Sequence, residues 1–162
     1  MTVGLIPGSF DPFHNGHLEV VERASHIFDH IVVAAIRNPQ KSEALFDLDE
    51  RREMIAEACA HIPSVTIVSI ASLLVNVARD VHATAIVKGL RAVSDFESEL
   101  QMAQMNRSLS GVETLFIPSS SHHSFIASRL LREVARYGGD VAAFVPPAVA
   151  LRLHDRFPGV TS

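Results

Sequence analysis

The sequence predicts an α/β fold, a doubly wound parallel sheet of five strands with helices on both faces. Short apolar, β-branched runs alternate with longer runs of helical periodicity from one end of the chain to the other. The short runs are apolar throughout, which is typical of strands that are buried on both faces of a parallel sheet. A regular strand–helix alternation is the pattern of doubly wound sheets.

The strands are predicted from the β-branched runs, taken in chain order. They cover residues 2–6, 30–36, 65–69, 84–88 and 114–117. The intervening runs place apolar residues at helical spacing, and a last amphipathic segment follows the pair Pro146-Pro147. The predicted helices cover residues 16–28, 48–61, 72–81, 94–109, 125–137 and 148–157.

Local signals support several of these helix boundaries. Asp47 followed by Glu50, and Ser94 followed by Glu97, have the spacing of a capping box at a helix start. Gly138 and Gly139 follow Tyr137, and glycine readily adopts the left-handed conformation that ends a helix. We see no internal repeat, linker or low-complexity tract, so one domain over residues 1–162 is predicted.

Composition excludes some classes of function. The chain has 162 residues, of which 48% are apolar and 20% are charged, an ordinary globular balance. Its net charge of −4 argues against a broad nucleic-acid surface, which would be basic. A small basic pocket remains compatible with this charge, because a local field depends on local arrangement.

Cysteine content and hydropathy bear on the location of the protein. Cys59 is the only cysteine, so no internal disulfide can form and a reducing compartment is favoured. The first residues lack the basic start and long apolar core of a signal peptide. No apolar run approaches the roughly 20 residues that cross a bilayer. A cytoplasmic protein without membrane contact is therefore expected.

The loop after the first predicted strand carries the densest chemical signal. This loop lies at the carboxyl end of the strand, and ligands of an open α/β sheet bind outside the carboxyl ends of its strands. Glycines let the backbone approach a ligand, the next helix start offers free N–H groups to a phosphate, and histidines three residues apart share a helix face. Imidazole N–H groups would stabilise charge on a reacting phosphorus. The string reads Gly8-Ser9-Phe10-Asp11-Pro12-Phe13-His14-Asn15-Gly16-His17.

The loop does not match two other phosphate-binding patterns. It is neither a Walker loop, which ends in Gly-Lys-Ser/Thr, nor a Gly-x-Gly-x-x-Gly dinucleotide fingerprint. The alternative is that His14 only packs and His17 only caps the helix, but the ten-residue string in this position favours phosphate binding.

A second signal ends the fourth predicted strand. Lys88 and Arg91 follow a buried-looking run and are separated by Gly89 and Leu90. Two cations that converge at the carboxyl edge of a sheet suit a polyphosphate and its developing charge. The alternative is a pair of solvated surface cations.

These strings resemble a known superfamily. The Gly8–Pro12 string followed by His14-Asn15-Gly16-His17 looks like the signature of nucleotidyltransferases with the (His/Thr)-x-Gly-His motif. Within that superfamily the chain is most similar to the phosphopantetheine adenylyltransferases, over almost its whole length. The resemblance implies a Rossmann-like fold. Further matching strings are Asn38-Pro39-Gln40-Lys41, Lys88-Gly89-Leu90-Arg91, Asp95-Phe96-Glu97, Gln101–Asn106, Glu133-Val134-Ala135 and Gly138-Gly139-Asp140-Val141.

The resemblance also implies roles for individual residues, which the spacing alone does not give. The catalytic group would comprise His17, Lys41 and Arg91, with His17 stabilising the pentacovalent α-phosphate. The acceptor would be held by Ser9, Lys41, Leu74 and Lys88, with Leu74 beside the pantetheine chain. The residues that would bind ATP are Ser9, Phe10, His14, His17, Gly89, Leu90, Arg91, Glu99, His123, Ser124, Phe125, Ile126, Ala127, Ser128 and Arg129.

The chain departs from the family pattern at four of its positions. Many relatives have arginine where this chain has Lys88, and close relatives usually have serines where it has Ala127 and Arg129. A tyrosine is common in the family where this chain has Ser98. Arg129 is expected to replace lost hydroxyl contacts with a charge. The pair His122-His123 suggests a metal site, but adjacent residues diverge and no cysteine or carboxylate set completes one, so no protein-bound metal is expected.

The implied activity is transfer of AMP from ATP to 4′-phosphopantetheine, with Mg²⁺ accompanying the nucleotide. The alternatives are an adenylyltransferase for nicotinate mononucleotide, a cytidylyltransferase for a small phosphoester, and a non-catalytic nucleotide-binding regulator. The resemblance implies a homohexamer. Leu100, Met102, Ala103 and Met105 could build either core or a subunit contact.

Overall fold

The computed structural model describes residues 1–37 and 43–158. Within them five strands alternate with helices, and a short 3₁₀ helix at Ala142–Phe144 precedes the last one. The strands are β1 (Val3–Gly8), β2 (His30–Ile36), β3 (Val65–Ile70), β4 (Ala85–Leu90) and β5 (Glu113–Pro118). The helices are α1 (Asn15–Ser25), α2 (Leu48–Ala58), α3 (Leu74–Asp80), α4 (Val93–Ser110), α5 (Ser128–Arg136) and α6 (Pro147–Arg156).

The strands form one parallel sheet in the order β3-β2-β1-β4-β5. Alternate residues of β2 enter different cores, because successive side chains of a strand point to opposite faces. Ile31 and Val33 pack with α1 and α2, whereas Val32 and Ala34 pack with α3. The predicted doubly wound sheet with helices on both faces is therefore confirmed.

The strand order determines where a ligand site can form. The chain runs outward from β1 to β3 and then crosses to β4 on the other side of β1. The order thus reverses between β1 and β4, and ligands of open α/β sheets bind outside the carboxyl ends of the strands at such a point.

Two predicted capping boxes have different outcomes. At α2 the box is confirmed: Asp47 accepts a hydrogen bond from the Glu50 N–H, and the Glu50 carboxylate accepts one from the Asp47 N–H. The box at Ser94 is wrong, because α4 begins one residue earlier and its N-cap is Ala92, which makes no side-chain capping bond.

Other boundaries shift by a few residues. Strand β1 continues to Gly8 and β4 to Leu90, since their backbones stay paired with neighbouring strands beyond the apolar run. Helix α5 begins at Ser128, three residues after the prediction, because residues 121–125 form turns. Gly138 follows its end with φ of 82°, as the glycine pair predicted. No helix of the described residues is long and apolar enough to cross a membrane.

Candidate active site

A cleft of about 500 Å³ opens at the carboxyl ends of β1 and β4, where the strand order reverses. It brings together residues from the loop after β1, the end of β4, α4 and the start of α5. Of the residues predicted from the sequence, those that line it are Ser9, Phe10, His14, His17, Lys88, Gly89, Arg91, Glu99, Ala127, Ser128 and Arg129.

The two histidines of the first loop are fixed by the start of α1. His14 is the N-cap, and its Nδ1 accepts hydrogen bonds from the N–H groups of Gly16 and His17 at 3.0 and 3.4 Å. In return the His14 N–H donates to His17 Nδ1 at 3.2 Å. The rings stack with centroids 3.6 Å apart, so the predicted shared face is confirmed.

These contacts fix the tautomer of both rings. A nitrogen that accepts from a backbone N–H cannot carry a proton itself, so the proton of each neutral ring lies on Nε2. His17 Nε2 makes no hydrogen bond within residues 1–37 and 43–158, and His17 lines the cleft. His17 can therefore donate a hydrogen bond from Nε2 to a ligand in the cleft.

Both imidazoles are held neutral. Burial lowers the pKa of His14 to about 3, with further effects from the Arg91 charge and His123. Burial also lowers the pKa of His17 well below its usual value of 6.5, aided by His14, Arg91 and Lys88. Removing a charge from water is costly, and nearby cations add to that cost. His17 is thus a neutral imidazole that can donate from Nε2.

The two cations at the end of β4 already have carboxylate partners on α4. Lys88 Nζ lies 3.3 Å from Glu99 Oε2, and Arg91 Nε lies 3.2 Å from Asp95 Oδ2. All four side chains remain partly accessible to solvent and line the cleft. An anionic ligand would compete with these carboxylates for the same cations.

The backbone around the cleft approaches closely at two glycines. A Cβ at Gly89 would lie 2.9 Å from Val20 Cγ2 of α1, and one at Gly16 would lie 2.9 Å from the His14 ring. Both distances are shorter than ordinary van der Waals contact. Glycine at these positions lets β4 and the His14 ring sit directly against α1.

The backbone of Ser9 is held in place by an arginine of α2. The buried Arg51 of α2 donates from Nη1 to the carbonyls of Ser9 at 2.6 Å and Ile36 at 3.2 Å, and its Nε donates to the Asp47 carbonyl. It therefore links α2 to the carboxyl ends of β1 and β2. Phe10 follows with φ of 50° and packs edge-on against His17, with ring centroids 4.9 Å apart.

The segment after β5 contributes to the cleft only at its ends. Ser119 and residues 127–129 line the cleft, whereas residues 120–126 do not. Ile126 is buried and its carbonyl accepts from Arg91 Nη1 at 2.9 Å. Phe125 is exposed and packs edge-on against Phe144. Arg129 lines the cleft and forms no ion pair with another described residue.

Some predicted site residues lie elsewhere. Leu74 begins α3 and packs against the core under that helix, outside the cleft. Leu90 contributes its carbonyl, which accepts from the Ser119 N–H at 2.7 Å. His123, Ser124, Phe125 and Ile126 are likewise absent from the cleft lining in the described part of the chain. Lys41 and the whole string Asn38–Lys41 lie outside the described residues.

Two residues at the site, Asp95 and Arg51, were not predicted. Asp95 pairs with Arg91. Arg132, which matches the arginine of the superfamily's Ile-Ser-Ser-x-x-x-Arg pattern, lines the cleft and donates from Nη1 to the Asp11 carbonyl at 2.6 Å. The spacing of Arg91 and Asp95, four apart, was a usable signal for the first pair. No sequence signal indicated Arg51, because an arginine on a helix rich in charged residues is expected to be exposed.

The cleft is suited to a polyanion. Lys88, Arg91, Arg129 and Arg132 line it, together with the Nε2–H donor of His17. The carboxylates in it are engaged with cations, and no group of three potential metal ligands occurs among the described residues. In the described part of the cleft, a metal ion would therefore have to take most of its ligands from phosphate oxygens of a bound molecule.

Comparison with known proteins agrees with this site. The model of the cytidylyltransferase-like family matches residues 5–134. The chain is 53% identical over 156 residues to a phosphopantetheine adenylyltransferase of Nocardioides sp., covering 96% of this chain and 98% of the relative.

Two further relatives bear the same name. The protein of Streptomyces coelicolor is 50% identical over 156 residues, 96% of this chain and 98% of its own. That of Synechococcus elongatus is 49% identical over 154 residues, 94% of this chain and 92% of its own. With the parallel sheet, the His14–His17 turn and the cationic cleft in place, the chain belongs to the phosphopantetheine adenylyltransferase family of nucleotidyltransferases.

Proposed function

We propose that this protein transfers the AMP moiety of ATP to 4′-phosphopantetheine, giving 3′-dephospho-coenzyme A and pyrophosphate. The observation that carries the proposal is the neutral His17, whose Nε2–H faces no described acceptor in a cleft lined by cations. The substrates are inferred from the name of three relatives near 50% identity, phosphopantetheine adenylyltransferase.

The reaction needs little acid–base chemistry from the protein. A phosphate monoester has a second pKa of about 6, so the attacking oxygen is already largely ionised at neutral pH. That oxygen forms a bond to the α-phosphorus of ATP while the bond from this phosphorus to the pyrophosphate oxygen breaks. Catalysis then rests on positioning and on stabilising the charge that develops.

His17 Nε2–H would donate to an oxygen of the pentacovalent α-phosphate. A neutral donor suits this task, because it keeps its proton throughout the reaction and needs no change of charge state. Ser9, Lys88 and Lys41 would hold the acceptor phosphate, although Lys41 lies outside the described residues. Leu74 would contribute to the pantetheine channel.

ATP would be held by two groups of residues. The cations Arg91 and Arg129 would bind the triphosphate, and Glu99 would contact the ribose or adenine after releasing Lys88. The backbone and side chains that complete the proposed ATP site are Phe10, His14, Gly89, Leu90, His123, Ser124, Phe125, Ile126, Ala127 and Ser128. Mg²⁺ would enter bound to the triphosphate and reduce its negative charge.

The proposal extends to the location and the assembly of the protein. A cytoplasmic location fits the single cysteine, Cys59, whose thiol pKa burial raises to about 12, so that it stays protonated and unreactive. A homohexamer is supported by the apolar side chains that α4 leaves exposed.

The test is release of pyrophosphate from ATP and Mg²⁺ with 4′-phosphopantetheine, with nicotinate mononucleotide and without an acceptor. Release is expected only with 4′-phosphopantetheine. In His17→Asn the shorter amide can still accept from the His14 N–H but places no donor at the Nε2 position, and kcat should fall about 10²–10³-fold. The matched control is His61→Asn, on an exposed histidine.

Each other outcome overturns a defined part. Release with nicotinate mononucleotide alone would refute the substrate and keep the chemistry. An unchanged kcat in a folded His17→Asn would refute the role of His17. ATP binding without pyrophosphate release from any acceptor would refute catalysis.

A further inference from the structure

A partly buried carboxylate on α1 joins that helix to the segment after β5. The Glu19 side chain is 14% exposed. Each of its two carboxylate oxygens accepts two hydrogen bonds. Oε1 accepts from the Ser120 N–H at 3.1 Å and from Arg23 Nη1 at 3.3 Å. Oε2 accepts from the Ser120 hydroxyl at 2.9 Å and from His123 Nδ1 at 2.5 Å. We call Glu19, Ser120 and His123 the Glu19 cluster.

The cluster differs from an ordinary surface ion pair. An exposed pair contributes little, because water competes for both partners. Here burial raises the pKa of Glu19, but hydrogen bonds from His123 and Ser120 outweigh that effect and hold the pKa below its usual value. The carboxylate is therefore charged at neutral pH, and its hydrogen bonds are of the stronger, charge-assisted kind.

A nucleophilic serine is excluded by the geometry. In a Ser-His-acid relay the two ring nitrogens serve different partners. In this cluster His123 Nδ1 meets Glu19 at 2.5 Å and lies 3.5 Å from the Ser120 hydroxyl, so one nitrogen faces both groups. The hydroxyl, moreover, already donates to Glu19. The hydrogen bonds of the cluster therefore hold the backbone in place and do not activate a nucleophile.

The backbone that the cluster holds is that of the segment 119–127. Residues 120–126 form a compact turn, in which the N–H groups of His123 and Ser124 donate to the Ser120 carbonyl and that of Ile126 donates to the His123 carbonyl. Glu19 binds the start of this turn. Arg91 binds its end through the Ile126 carbonyl.

Both ends of the segment lead directly into the cleft. Ser119 lines the cleft on one side, and residues 127–129 line it on the other. The Ser128 hydroxyl donates to the Pro12 carbonyl at 2.8 Å, so the far end rests on the first loop. A displacement of the turn would therefore move the cleft wall that carries Ser128 and Arg129.

We propose that Glu19 is a positioning residue for the nucleotide: through Ser120 and His123 it fixes the segment 119–127 so that the start of α5 meets the triphosphate. This inference rests on the proposed function, since it assigns that wall to ATP. Acceptor binding, which is assigned to Ser9 and Lys88, should not depend on the cluster, because the described partners of these two residues are Arg51 and Glu99 and not members of the cluster.

The test compares Glu19→Gln with Glu22→Gln, which lies one turn further along α1 and pairs with an exposed His61. The amide of Gln cannot accept four hydrogen bonds, and it loses the charge that strengthens them. In Glu19→Gln the KM for ATP should rise about tenfold, the loss of one charge-assisted hydrogen bond. The KM for 4′-phosphopantetheine should stay within about twofold. In Glu22→Gln neither should change.

Ser120→Ala provides a second variant, because it removes only the hydroxyl and keeps the backbone N–H. Its KM for ATP should rise by a smaller factor, and Glu19→Gln should add less in this background than alone. If Glu19→Gln does not fold, the KM ratio of Ser120→Ala decides the matter.

Equal rises in both KM values, or an unchanged KM for ATP, would overturn the inference and leave Glu19 a purely structural residue. A wild-type protein that releases no pyrophosphate would instead refute the proposed function. The two failures are thus distinguished by the wild-type assay.

Discussion

At the residue scale, the stacked pair His14 and His17 combines a structural and a chemical role. His14 is 1% exposed and serves as the cap of α1, while His17 faces the cleft. Two charged imidazoles 3.6 Å apart beside Arg91 would repel each other. The site therefore needs both rings neutral, and burial supplies that condition.

A consequence is that low pH destabilises the fold. The pKa of His14 is about 3 in the folded protein and about 6.5 when unfolded, so between these values the unfolded chain binds the extra proton. Stability from His14 is complete above pH 6.5 and is lost as the pH falls below it, by about 2 kcal/mol at pH 5. His17 adds a loss in the same direction.

The measurement is urea unfolding at pH 7.5 and pH 5 for the wild type and His14→Thr. Threonine caps a helix but does not titrate, so the variant should lose less stability between the two pH values. Equal losses in both proteins would contradict the lowered pKa of His14. The exposed His154→Thr is the control and should behave as the wild type.

The sequence predicted His14 and His17 as site residues, but it did not predict their tautomer or their charge state. The string around His14 and His17 identified the pair and its shared helix face. The tautomer depends on backbone geometry, and the charge state of His14 depends first on burial and then on Arg91 and His123, which lie far along the chain. No local pattern reports such contacts, and the same holds for Glu19.

At the element scale, the Arg51 side chain joins α2 to the ends of β1 and β2 by hydrogen bonds. Arg51 is 4% exposed and donates to three carbonyls, those of Ser9, Ile36 and Asp47. Burial lowers the pKa of its guanidinium, which the charges of Asp11 and Asp47 partly offset. Buried carbonyls without donors are costly, so this arginine acts on stability and on the position of Ser9 together.

Arg51→Met tests this link. The methionine fills much of the space but leaves the carbonyls of Ser9 and Ile36 without their donor, so the free energy of unfolding should fall by about 2–4 kcal/mol. The KM for the acceptor should rise, because Ser9 would be less firmly placed. Urea unfolding and initial rates measure the two effects.

Arg52→Met is the matched control, since the neighbouring side chain is exposed on the same helix. Its stability should stay within about 0.5 kcal/mol of the wild type. An equal loss in both variants would show that helix α2, and not the Arg51 hydrogen bonds, is responsible.

The elements themselves were largely predictable. Apolar runs and helical periodicity placed all five strands of the sheet, because burial on two faces leaves a clear compositional pattern. The box at Ser94 failed because Ser and Glu three apart fit a helix interior as well as a helix start. The start of α5 was predicted three residues too early, at residue 125, because the turn at 120–126 is held by Glu19 of α1 and by Arg91 just after β4.

At the scale of the whole molecule, α4 is poorly covered by its own chain. Asn106 is its only residue classed as buried in the described structure, while Met102, Met105 and Leu109 are 56%, 58% and 61% exposed. Val93, Phe96 and Leu100 form a second apolar stripe, on the opposite side of the helix. Leu100, Met102 and Met105 thus do not build the core of the single chain.

Exposed apolar side chains in such number mark a surface that another protein covers, and the proposed homohexamer would bury them against other copies of α4. Sedimentation of the wild type should then give the mass of six chains, and Met105→Glu should lower that mass, because a buried unpaired carboxylate costs several kcal/mol per interface. Leu151→Glu, on the exposed side of α6, is the control and should leave the mass unchanged. A wild type that sediments as a single chain at assay concentration, or a Met105→Glu protein of unchanged mass, would contradict an assembly through this helix.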